Sequence, residues 1–201
     1  MIARFFRFPI PDHVGQMRIL FAGSTGVLGR ATLPQLGDHE IVAITRASKN
    51  RDLLDELGVK GIVCDVYDYP ALLTATQEAQ PEIVVNFLTA LREESEQANI
   101  RIRREGAQNL LRAAEQADAS RLVVESVAFP LEGDAGRAVE DLEGSTRGFA
   151  GEALILRFGR LWGPGTFHRT APPPPSIHID EAGAEAARLI TGAPPGAYLV
   201  S

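Results

Sequence analysis

Arg18-Ile19-Leu20-Phe21-Ala22-Gly23-Ser24-Thr25-Gly26-Val27-Leu28-Gly29 carries a short apolar run directly into a glycine-spaced loop, and Val27 to Leu36 then reads as a helix. A run of this length bounded by glycine is the pattern of a buried strand. Each glycine has a separate physical task in a strand-turn-helix unit. Gly23 makes the tight turn out of the strand, Gly26 lets the backbone approach a pyrophosphate, and Gly29 lets the helix pack closely on the sheet. The unpaired N–H groups of the helix start, with the positive end of its dipole, then face phosphate oxygens. The segment is therefore expected to bind a dinucleotide; the alternative is an ordinary strand-to-helix turn.

Outward from this loop, apolar strand patterns alternate with helical ones. Strands are expected at Ile41–Thr45, Val59–Cys64, Ile83–Leu88, Leu122–Ser126 and Ala153–Phe158, with a short last one at Tyr198–Val200. Helices are expected at Arg51–Leu57, from an Asp68 cap to Ala79, from Glu93 to Ala117, around Ala138–Glu143, and from Ile177 to Ile190. Uninterrupted apolar strands imply burial on both faces, which means a parallel sheet between helix layers. The expected fold is α/β, a Rossmann-type doubly wound parallel sheet with helices on both faces. Met17 directly precedes the first strand, so residues 1–16 are expected to be an N-terminal extension and residues 17–201 the dinucleotide-binding domain. The Pro172–Pro175 run is an extended, stiff connector.

The chain has 201 residues and a formal net charge of −6. An acidic balance with no basic run argues against nucleic acid as a partner, because phosphate neutralisation needs clustered Lys and Arg. No apolar stretch has the length of a membrane helix, and Pro9, Pro11, Asp12 and His13 interrupt the only leader-like segment. A cytoplasmic protein without membrane partners is expected. Cys64, the one cysteine, has no metal-ligand spacing around it and reads as a buried inert thiol. No metal site is expected.

The G-x-x-G-x-x-G spacing, together with Gly106-Ala107-Gln108-Asn109-Leu110-Leu111, Leu154 to Gly165 (LILRFGRLWGPG) and Ile177-His178-Ile179-Asp180-Glu181-Ala182, resembles the extended short-chain dehydrogenase/reductase family, which includes NAD-dependent epimerases and dehydratases. The resemblance spans nearly all of residues 17–201. It implies cofactor contacts from the loop residues Gly23, Ser24, Thr25, Gly26, Val27, Leu28 and Gly29. It also implies contacts to the adenine from Asp65 and Val66, and to the ribose and pyrophosphate from Leu88, Thr89 and Ala90. Asp65 also reads as a simple loop or capping carboxylate. The substrate lobe is abbreviated, since only Thr166 to Ser176 separates the Gly163-Pro164-Gly165 loop from the late segment.

That family transfers a proton through a tyrosine assisted by a lysine four residues on, with a serine at the end of the fifth strand. Ser126 matches the serine and is the candidate catalytic residue. The lysines, Lys49 and Lys60, and the tyrosines, Tyr67, Tyr69 and Tyr198, stand elsewhere. With Glu140 aligned to the glutamate one turn beyond the family's lysine, the lysine and tyrosine positions hold Gly136 and Glu132, and Arg103 takes the place of a supporting asparagine. Glu125, Glu132, Asp134 and His168 are further polar groups near the nicotinamide end, for each of which a solvated or surface role is expected. Two functions stay open: an atypical oxidoreductase or epimerase, or a catalytically silent dinucleotide-binding sensor or partner module. The cofactor is expected to be NADP, with NAD possible. The second strand ends in Thr45-Arg46 rather than in a carboxylate, and Arg46, with Arg30 behind the loop, suits a ribose phosphate. A homodimer is expected from opposite charges on the fourth helix (Arg101, Arg103, Arg104, Arg112) and the helix after the fifth strand (Glu140, Asp141, Glu143).

Overall fold

The computed structural model describes residues 15–90 and 95–201. Most of the expected extension, and the expected start of the long helix at Glu93, lie outside the described residues. The strands are β1 (Arg18–Ala22), β2 (Glu40–Thr45), β3 (Lys60–Val63), β4 (Ile83–Asn86), β5 (Arg121–Val127), β6 (Glu152–Phe158), β7 (Arg160–Trp162), β8 (Ser176–His178) and β9 (Gly196–Val200). The helices are α1 (Val27–Thr32), α2 (Arg51–Glu56), α3 (Tyr69–Ala79), α4 (Glu96–Arg101), α5 (Ala107–Gln116), α6 (Gly133–Arg147) and α7 (Ile179–Gly192).

Seven strands form one sheet in the order β3-β2-β1-β4-β5-β6-β9, and every pairing is parallel. The order reverses between β1 and β4, so their carboxyl ends open a crevice there, the place where such sheets bind ligands. Successive side chains alternate between two cores. Ile19, Phe21, Val85, Val123 and Leu156 pack under α1 and α7; Leu20, Val84, Leu122, Val124 and Ile155 pack under the layer containing α5 and α6. This is the doubly wound α/β fold expected from the alternation of patterns.

Three departures have local causes. The helix expected to run from Val27 to Leu36 leaves α geometry after Thr32 and finishes as a 3-10 turn, Leu33–Leu36; Pro34 has no N–H with which to continue the ladder. The long helix is split by a π-helical turn, Ile102–Gly106, which sits where the chain packs on β3's exit: a Cβ on Gly106 would lie 2.7 Å from Ile102 and 3.1 Å from Val66. Ile177 and His178, expected to begin the last helix, belong instead to β8, which pairs with β7 as a small second sheet. The helix starts after them, with His178 Nδ1 accepting from the Asp180 amide at 3.4 Å.

Several of the charges invoked for a dimer are engaged within one chain. Arg104 bonds Asp141 at 2.7 Å and Arg101 bonds Glu105 at 2.7 Å. Among the described residues no helix is long and apolar enough to cross a membrane.

The glycine loop is held from behind by α7. Gly183 is buried against α1, and a Cβ there would lie 2.5 Å from both the carbonyl carbon and the oxygen of Ala31. Those neighbours are backbone and cannot swing aside. Gly183→Leu is therefore expected to force the two helices apart and to lower stability by about 1–3 kcal/mol, read as a lower urea midpoint at unchanged slope.

Candidate functional site

β1 delivers the chain into a loop whose form is set by absent side chains. Gly23 has φ +92°, a conformation that L side chains rarely adopt, and a Cβ on it would be 2.2 Å from the Phe87 carbonyl oxygen at the end of β4. A Cβ on Gly29 would be 2.3 Å from the Gly23 carbonyl oxygen. The turn closes with the Gly26 amide donating to Gly23 O at 3.0 Å, and α1 starts with the Arg30 amide donating to Gly26 O at 3.0 Å. Among the described residues the start of α1 has no side-chain cap, and Ser24 Oγ is fully buried without a hydrogen-bond partner. An uncapped helix start and an orphaned hydroxyl in one glycine loop fit a bound pyrophosphate.

A cleft of about 430 Å³ opens from this loop. Of the residues expected to hold the cofactor, Gly23, Thr25, Gly26, Val27, Leu28, Gly29, Thr45, Arg46, Asp65, Val66, Leu88, Thr89 and Ala90 line it. Ser24 is beneath the loop. Arg30 is exposed, and its guanidinium lies 3.9 Å from where a Cβ on Gly165 would stand, toward the short lobe.

Side chains not singled out in the sequence hold the cleft's shape. Asn50 donates to Thr45 Oγ1 at 2.9 Å and to Thr25 Oγ1 at 3.4 Å, tying the end of β2 to the glycine loop. Asn99 of α4 accepts from the Ala90 amide at 2.9 Å, and Asn109 of α5 donates to Val66 O at 3.0 Å. Arg101 stacks 3.9 Å over the Tyr67 ring; both line the cleft. Cys64 is buried in its wall, and burial, then Asp68 and Asp65, push the thiol pKa up, which keeps it protonated and unreactive.

The end of β5 places two neighbouring residues on opposite faces of the sheet. Ser126 points away from the cleft. It is 2% exposed, and its hydroxyl donates to Glu143 of α6 at 2.7 Å. Glu143 also accepts from Arg157 of β6 at 2.8 and 2.5 Å and from Arg147 at 2.7 Å. Glu125 instead lines the cleft beside Phe87 and Leu161. It is half-buried and, among the described residues, makes no hydrogen bond or ion pair. Desolvation pushes its carboxyl up to about 7, against the opposing pull of Arg103. Glu132 and Asp134, the other acidic groups expected near this end, stand at the start of α6, where Asp134 pairs with Arg137 at 2.8 Å. His168 bridges to Trp162 in the short lobe.

Gly136, expected from the sequence to stand at the family's lysine position, is packed so that a Cβ would meet Leu131 O at 2.2 Å. The backbone leaves no room for any side chain there.

A profile of the NAD dependent epimerase/dehydratase family matches residues 19–129. A Streptomyces 3-diazoavenalumate denitrifying reductase is 36% identical over 180 residues, covering 75% of this chain. The chain spans 58% of that relative's length. Among solved structures, Bordetella bronchiseptica WbmG in complex with NAD and UDP superposes with a TM-score of 0.74 at 21% identity, covering 93% of this chain and 73% of that one. Thermus thermophilus UDP-glucose 4-epimerase in complex with NAD superposes with a TM-score of 0.75 at 16% identity, covering 92% and 78%. At these identities the structural likeness establishes the fold.

The Ser126–Glu143–Arg157 group is a stabilising feature with a defined pH window. The Arg157 hydrogen bonds, then those from Ser126 and Arg147, hold the Glu143 carboxyl at about 2, below its ordinary 4.5. A depressed folded-state pKa adds stability above the unfolded value, and that stability disappears as pH falls from about 4.5 toward about 2. Glu143→Gln is expected to cost about 1–3 kcal/mol at pH 7. The difference from wild type in urea unfolding should shrink steadily below pH 4.5.

Proposed function

The chain belongs to the NAD dependent epimerase/dehydratase family, and from that premise we propose that it is an NADP-dependent reductase working without the family's tyrosine–lysine pair. The observation that carries the reaction type is the 36% identity to a reductase. A diazo compound of the kind in that relative's name is an electrophile, so a reductase acting on one has less need of a strong proton donor than an enzyme that must polarise a hydroxyl or ketone. Gly136 supports the same reading, since the absent lysine has no space to be restored.

The bound dinucleotide supplies two electrons as hydride. The chain's own residues bind and orient it. Gly23, Gly26 and the first turn of α1 receive the pyrophosphate, Asp65 and Val66 flank the adenine, and Leu88, Thr89 and Ala90 border the ribose toward the reacting end. Arg46 is exposed at the end of β2 on the cleft wall, where a guanidinium pairs with a ribose phosphate and β2 ends in Thr45 rather than in a carboxylate. Arg30, turned toward Gly165, is assigned to the lobe side of the loop rather than to that phosphate. A second reading, a dinucleotide-binding module without catalysis, is favoured by the shortness of the lobe, which gives the reacting end little cover from water.

Two measurements test the proposal. In calorimetric titration NADPH is expected to bind about tenfold or more tightly than NADH, and Arg46→Ala to remove that preference while leaving NADH affinity within threefold, since hydrogen bonds to charged groups contribute roughly 1.5–3 kcal/mol. Equal affinities in the wild type would overturn the NADP assignment. With 3-diazoavenalumate as probe, NADPH consumption is expected. Tight dinucleotide binding with no consumption of either cofactor against this probe and simple carbonyl compounds would favour the silent module.

A further inference from the structure

Glu125 is an ionisable residue that directly follows the apolar run Leu122-Val123-Val124 of β5. An isolated carboxylate in such a position costs free energy unless it is paired or does something. It is not paired: among the described residues it makes no hydrogen bond and no ion pair. Its place is specific. β5 is the strand next to β4, on the side of the crevice away from β2 and β3, so Glu125 lies toward the opposite end from Arg46 and Asp65, in the same cleft as the glycine loop. Phe87, just after β4, and Leu161 of β7 line the same cleft, and Leu156 of β6 is its register neighbour.

The charged groups around it are few. Arg103, half-buried on the π turn, is the charge that acts on Glu125, and Glu125 in turn is the charge that acts on Arg103. Arg101, Tyr67 and Asp65 line the same cleft farther along. Glu143 and Arg157 are engaged with Ser126 under α6, on the other face of the sheet. Among the described residues, the glycine loop, the chain after β4 and β7 bring no charged side chain to the cleft lining.

We propose that Glu125 is the proton-transfer residue of this cleft, standing at the β4–β5 end in place of the family's tyrosine and lysine, with Arg103 as its positioning charge. The assignment rests on the reductase reading above. In the reducing direction the O–H bond of the Glu125 carboxyl breaks and a new O–H bond forms on the substrate oxygen that gains electron density, the hydride ends on the substrate carbon, and with a diazo substrate the C–N bond breaks and dinitrogen leaves. The two electrons come from the reduced dinucleotide. The carboxylate left behind is offset by Arg103 and regains its proton from water through the open side of the cleft. A carboxyl titrating at about 7 is matched to this task near neutral pH. Ser126 belongs to the buried network instead and takes no part in the proton step.

The test uses the full chain and has readouts independent of turnover. In protein labelled with carbon-13 at glutamate carboxyls, one resonance is expected to titrate near pH 7, to be missing in Glu125→Gln, and to titrate at higher pH in Arg103→Gln, because Arg103 pulls the carboxyl down. In calorimetry the oxidised ring carries a positive charge and the reduced ring does not. The ratio of NADP+ to NADPH affinity should therefore rise on the order of tenfold as pH increases through 7, and stay flat in Glu125→Gln. With 3-diazoavenalumate, kcat at pH 7 should fall about a hundredfold or more in Glu125→Gln, KM and NADPH affinity staying within threefold, with partial recovery in Glu125→Asp. No carboxyl titrating between pH 6 and 8 in the folded wild type would overturn the proposal. So would a pH-independent affinity ratio, or kcat in Glu125→Gln within threefold of wild type. Failure of the wild type to bind either dinucleotide overturns the reductase reading, and the proposal with it.

Discussion

Three contacts in which backbone meets backbone, with no side chain between, hold the cleft in place. Gly23 rests on the carbonyl of Phe87, Gly29 on the carbonyl of Gly23, and Gly183 on the backbone of Ala31. The first joins the loop to β4, the second folds the loop onto the start of α1, and the third seats α1 against α7. A methyl group at any of the three would displace an element rather than a side chain, because the neighbouring atoms have no rotamer to change. The line from α7 through α1 to the end of β4 is therefore stiff, and the polar groups of the cleft are aimed by that stiffness more than by their own hydrogen bonds.

The parallel sheet was legible because its strands are buried on both faces and so consist of unbroken apolar runs. The loop was legible because each of its glycines stands where a side chain would collide. What stayed hidden has equally physical causes. The π turn at Ile102–Gly106 adds its offset without altering the apolar spacing enough to be seen. β8 is three residues long and is made a strand only by its partner β7, a contact that local pattern cannot reveal. Asn50 and Asn99 have ordinary loop and helix-start surroundings in sequence; their roles come from Thr25, Thr45 and Ala90, which the fold brings to them.

Ser126 and Glu125 are adjacent in sequence and stand on opposite faces of β5. The resemblance drew attention to the serine, the residue type the family uses. Strand geometry sends neighbours to opposite faces, and here it is Glu125 that faces the cleft while Ser126 is taken up by Glu143. The two glutamates show the same side chain tuned in opposite directions. Glu143, given three donors, is held ionised, whereas Glu125, given apolar walls and one arginine, is held near neutrality.

The lobe over the cleft is attached to the sheet in a way that separates its length from the sheet's register. The Gly159 amide bonds Val200 O at 2.8 Å and the Arg160 amide bonds Pro175 O at 2.9 Å, and between Trp162 and Ser176 the chain pairs with no strand of the main sheet. The segment is bounded by one short parallel pair that closes on itself. Lengthening or replacing it leaves all seven strands and both helix layers with their existing partners. Such a joint is a natural site for insertion: a lineage can change what enters the cleft by exchanging a single surface segment, while the nucleotide half is inherited intact.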